Sequence, residues 1–80
     1  MSRAKLEWLT EQLGTEEINR LTLKFARYKI LGAKWREFLA KRRDDDEIWR
    51  FRDYECYGET ALTIVRNGVP IADFRALGSI

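Results

Sequence analysis

An α+β fold, with a short N-terminal helix and one long helix packed on a three-stranded antiparallel meander, is predicted by three features of the sequence. Apolar residues recur at alternating spacings of three and four from Ile18 to Leu39, which draws one face of a helix. Residues 47–53 alternate in the two-residue period of a strand, and Asn67-Gly68 parts two further β-rich runs in the chemistry of a tight hairpin. Eighty residues at 45% hydrophobic, 12% aromatic and 35% charged build one core and not two, so residues 1–80 read as a single domain.

The first helix is predicted over residues 3–13. Leu6, Leu9 and Leu13 fall at helical spacing, Ser2 stands where a cap belongs, and Gly14 where a left-handed C-terminal residue is wanted. Thr15 then caps a second helix over residues 16–41, with Glu16 and Glu17 at the positive end of its dipole and Lys41 at the other. Its stripe of Ile18, Leu21, Phe25, Tyr28, Gly32, Trp35 and Leu39 is read as the core face, with Gly32 marking a close approach by a neighbour. Such a rod is roughly 40 Å long, whereas a seven-residue strand reaches about 23 Å. The helix therefore outruns its sheet, and Leu23 and Ile30, turned away from the stripe, call for a further contact.

The strands follow over residues 47–53, 61–66 and 69–75. Trp49 and Phe51 share one face of the first, with Ile48, Arg50 and Arg52 on the other. A type I′ turn at Asn67-Gly68 pairs Arg66 with Val69, Val65 with Pro70 and Ile64 with Ile71. That register puts Leu62, Ile64 and Ile71 on one face and Ala61, Val65 and Phe74 on the other. Pro70 cannot donate a ladder hydrogen bond, so the third strand is an edge and the second must pair with residues 47–53. The opposite edge is free of Pro and open to an added strand.

Charge is segregated along the chain. Residues 20–43 hold nine Lys and Arg against the single Glu37, whereas residues 44–59 carry a net of −5, within an overall charge of +2. There is no His and one Cys, so the commonest general base, the commonest metal ligand and any internal disulfide are missing. A calcium loop read from Asp44 fails, because its fifth and sixth positions are Ile48 and Trp49. The glycines are isolated, which excludes a phosphate-cradling loop. No catalytic residue, metal or cofactor is expected. A lone Cys56, no apolar leader and no run of ~18 apolar residues predict a cytoplasmic protein outside the membrane.

Asp46-Glu47-Ile48-Trp49-Arg50-Phe51, then Gly58-Glu59, then Leu62-Thr63-Ile64-Val65-Arg66-Asn67-Gly68 resemble a pattern in small uncharacterised bacterial proteins. Those proteins combine an acidic-Ile/Leu-Trp strand, a short polar loop and a Val-Arg-Asn/Asp-Gly hairpin. The resemblance covers residues 44–72, and it implies a bacterial or phage origin and a recurrent small sheet, without a function attached.

What remains is recognition. The sequence points to a small non-enzymatic interaction protein, an adaptor or inhibitor, binding a macromolecular partner through the basic-aromatic long helix. A protein is the expected partner. Arg27, Lys34 and Lys41 would steer and pair with acidic groups, while Trp35 and Phe38 would supply buried area. The alternative is a nucleic-acid binder in which Arg20, Arg27, Lys34, Arg36, Lys41, Arg42 and Arg43 meet phosphates. A third reading is a homodimer closed through Leu23 and Ile30.

Overall fold

The structure is a computed structural model and describes residues 2–76. A 3-10 turn (Leu6–Trp8) leads into strand β1 (Leu9–Gln12), followed by α1 (Thr15–Phe25), α2 (Lys29–Ala40), β2 (Glu47–Asp53), β3 (Glu59–Arg66) and β4 (Val69–Phe74). The four strands form one antiparallel sheet in the order β1-β2-β3-β4. The expected α+β class and the β2-β3-β4 meander are present. The strand count, the N-terminal helix and the single long helix are not.

The helix expected over residues 3–13 is a turn and a strand. Three leucines at helical spacing are a weak signal against the unpaired edge of β2, whose backbone groups the chain satisfies with its own β1. The segment also serves two faces. Trp8 is buried with Phe51 and Ala61 behind the sheet, whereas Leu13 joins the core under the helices. Ser2 caps no helix; its Oγ donates to Asp73 at 2.5 Å and lies 3.3 Å from Thr63 Oγ1, so residues 2–8 strap the back of the sheet. Gly14, not Thr15, is the N-cap of α1, with φ −85° and not the left-handed value expected.

The rod expected over residues 16–41 folds back at residues 26–28, where Tyr28 is extended at φ −116°, ψ 126°. No Pro or Gly stands there, so packing makes the break. A straight rod of ~40 Å exceeds the folded chain, which measures 32 × 31 × 22 Å. Folding back closes an aromatic cluster, with Trp35 centred 5.2 Å from Phe25 and 4.9 Å from Phe74, and Phe38 5.6 Å from both Trp35 and Phe74. Burying each such ring stabilises by roughly 1.5–3 kcal/mol, whereas each backbone hydrogen bond given up at the elbow is worth about 0.5–1.5 kcal/mol. Burial wins. Gly32 faces the carbonyl of Phe25, where a Cβ would lie 2.8 Å from the oxygen, so the expected close approach is made by α1 itself. The fourth residue of the expected stripe, Tyr28, falls at the bend and is 56% exposed.

β2 spans the residues predicted for it, while β3 begins two residues early, at Glu59, and β4 ends one early, at Phe74. Asn67 and Gly68 adopt φ of 51° and 78°, as a type I′ turn requires. Arg66 pairs with Val69 and Val65 with Pro70, but a β-bulge then shifts the ladder so that Ile64 opposes Ala72 and Leu62 opposes Phe74. The extra residue moves Phe74 to the helix side, beside Leu62 and Ile64, instead of beside Val65.

Candidate functional site

The elbow between the helices creates an open groove of about 750 Å³. Its cations are Lys24 from the end of α1, Arg27 from the bend, Lys29 and Lys34 from α2, and Arg75 from the segment after β4. Tyr28, Ile30 and Leu31 supply the apolar lining, and no acidic residue lines it. Ile30 is 74% exposed and Leu31 half-buried, so greasy surface is offered between charges. α2 starts here without a side-chain cap and without an acidic residue in its first turn.

A second depression of about 450 Å³ lies beside β4, where Lys34, Lys41 and Arg3 stand with Glu37, Asp73 and Arg75. Lys34 and Arg75 border both depressions. The two form one trough along the open flank of α2.

Glu37 and Asp73 stand in the second depression, but no acid lines the groove at the elbow, and the acids that form ion pairs form them elsewhere. Asp46 accepts Arg66 Nη2 at 2.7 Å and Nε at 3.0 Å, and the Arg43 N–H at 2.9 Å. The Arg66 hydrogen bond, then that from Arg43, holds its carboxyl at about 2, and the same bond raises Arg66. Glu11 and Glu17 take Arg50, Glu17 also takes Arg20 at 2.7 Å, and Glu55 takes Lys5 at 3.4 Å. Among the described residues, Lys24, Arg27, Lys29, Lys34, Arg36 and Lys41 form no ion pair.

Arg75 is the exception in the trough. Its Nη2 donates to Asp53, a fully buried carboxylate that also accepts the Glu55 N–H at 3.0 Å and has Arg3 Nε at 3.5 Å. Burial pushes the Asp53 carboxyl up, but the bond and charge of Arg75, with help from Glu55 and Arg3, outweigh it and leave it below the usual range. Nη1 of Arg75 is buried without a partner.

The residues singled out from the sequence separate into two groups. Arg27, Lys34 and Lys41 border the trough, whereas Trp35 is 1% and Phe38 3% exposed and both belong to the core, Phe38 also lining the second depression. Their rings are spent on folding, and the large apolar side chains exposed at the groove are Tyr28 and Ile30 instead. The seven phosphate candidates do not form one track. Arg20 is engaged by Glu17, Arg42 and Arg43 line a separate depression with Ile18, Leu39 and Asp44, and Arg36 lies on the other flank of α2 from Lys34. Leu23, 75% exposed, does face solvent as expected.

Sequence reasoning placed no role on Lys24 or Arg75 and read Tyr28 as a core residue. The run Arg27-Tyr28-Lys29-Ile30, cations alternating with large apolar residues, carried a signal for the first part of the groove. Nothing local announced Arg75, which reaches the trough only because β4 ends there. Among the described residues no helix is long and apolar enough to cross a membrane, and no group of three His, Cys, Asp or Glu is placed to hold a metal. Comparison with protein-family models, with curated proteins and with solved structures finds no match for this chain.

Proposed function

We propose that this protein is a small non-enzymatic interaction module that takes an acidic protein partner in the basic groove at its helix elbow. The observation that carries this reading is the set of Lys24, Arg27, Lys29 and Lys34, unpaired among the described residues, around exposed Tyr28 and Ile30. Unpaired cations steer and orient an anionic partner, and the apolar patch between them supplies the buried area that holds it.

Strand addition is the poorer route to a partner. The Pro-free edge of β2 is occupied by β1, whose own outer edge is only four residues long and bulged, and the β4 edge carries Pro70 and a bulge, all of which blunt pairing. A phosphate backbone has no use for Ile30, and the basic residues are spread over several depressions. A protein partner suits the groove better than DNA does.

Capture from a lysate of the source cells tests the proposal, comparing the wild type with the double variant Arg27→Glu/Lys34→Glu. Retention of a protein that survives nuclease treatment and is lost with the double variant is the expected result. Retention that disappears with nuclease assigns the groove to nucleic acid, and equal retention by both proteins removes it as the site.

A further inference from the structure

Resting on that reading of the groove, we infer that the occupant is a segment of about six extended residues, or about thirteen if helical, with carboxylates around one or two large apolar side chains. Its length follows from the trough, which runs along α2 from Tyr28 to Lys41. Thirteen helical steps cover roughly 20 Å, the reach of six extended residues.

The chemistry of the occupant follows from what alternates along the trough. Lys24, Arg27 and Lys29 surround Tyr28 and Ile30 at one end, Lys34 and Arg75 mark the junction, and Lys41 closes the other end. Glu37 and Asp73 are the opposing charges, and Asp73 is already engaged by Ser2 Oγ at 2.5 Å and the Arg3 N–H at 2.6 Å. A purely acidic chain would leave Ile30 and the Tyr28 ring in water, and a purely apolar one would desolvate five ammonium and guanidinium groups without partners. Only alternation of the two satisfies both.

The test uses the full chain, titrated by fluorescence anisotropy with labelled peptides of about twelve residues and with duplex DNA. One peptide alternates Glu and Asp with Leu and Phe, a second replaces Leu and Phe by Ser, and a third replaces Glu and Asp by Gln. The first should bind about tenfold or more tighter than the other two and than DNA. Arg27→Glu should weaken it about tenfold, and Arg36→Glu on the opposite flank by less than about threefold. If the Ser peptide or DNA binds as well as the first while Arg27→Glu still weakens both, the alternating occupant is wrong and the groove stands. If no probe binds, or Arg27→Glu and Arg36→Glu act alike, the groove itself is wrong.

Discussion

Replacing Gly32 by Ala gives opposite signs for a straight rod and for an elbow. Ala is the better helix former by about 1 kcal/mol, so in a continuous helix with open space at that position the change stabilises. At the elbow the new Cβ lies 2.8 Å from the Phe25 carbonyl oxygen, a backbone atom with no rotamer to escape into. The end of α1 must withdraw by roughly half an ångström, loosening the contact between Phe25 and Trp35. Overpacking of this kind costs about 1–3 kcal/mol. Less the gain in propensity, the variant should lose up to ~2 kcal/mol, with the melting temperature falling by about 4–8 °C for each kcal/mol in a domain of this size. Urea denaturation followed by tryptophan fluorescence measures it, with the slope checked for two-state behaviour. A gain of about 1 kcal/mol would refute the elbow and, with it, the groove that the elbow forms.

Other perturbations probe other parts of the same fold. Trp35→Ala should cost about 3–5 kcal/mol and unfold most of the chain at 37 °C, read by circular dichroism, because a ring on the partner surface would cost far less. Thr22→Val should cost about 1–3 kcal/mol by removing the hydroxyl that accepts the Trp35 indole N–H at 2.9 Å, and a silent variant would dispute that bond. Asp46 is depressed to about 2 by Arg66 and the Arg43 N–H, so its stabilisation is complete above the unfolded value near 3.8 and is lost as pH falls toward 2. Denaturation midpoints between pH 4 and 2 should therefore fall less steeply for Asp46→Asn than for the wild type. Parallel curves would show that Asp46 contributes nothing there.

Local chemistry made much of the sheet legible. β2 alternates cleanly, the type I′ turn needs two positive φ values that Asn67 and Gly68 supply, and Pro70 marks β4 as an edge. What stayed hidden depends on distant residues. The sequence Leu9-Thr10-Glu11-Gln12 has no strand pattern and pairs because β2 offers an edge. The bulge that turns Phe74 inward answers a place in the core beside Trp35. At the elbow, Ala26, Arg27 and Tyr28 are all acceptable in a helix, and only the gain from bringing Trp35 onto Phe25 and Phe74 breaks it. For the groove the sequence yielded Arg27, Lys34 and Lys41; the seven-residue spacing of Lys34 and Lys41 keeps those two on one flank of α2, while Arg27 reaches the groove from the bend. It misassigned Trp35 and Phe38, since the same periodicity describes a buried face and an exposed one.

The bend and the groove have one cause. Folding the rod back takes Trp35 and Phe38 off the surface and leaves the bend uncovered, where Tyr28 and Ile30 stay in water. In the same step Lys24 at the end of α1 is brought beside Lys29 and Lys34 near the start of α2, so charges that a straight helix would spread over ~15 Å converge on one groove. Like charges that converge without an ion pair repel, a cost to the isolated fold that an acidic partner removes. Glu37 and Asp73 stand beside Lys34 and Lys41 in the second depression, but no acid lines the groove at the elbow itself. Asp46 and Asp53 are buried on the Arg residues of the sheet and its flank, Glu11 and Glu17 hold Arg50, and the elbow keeps its field.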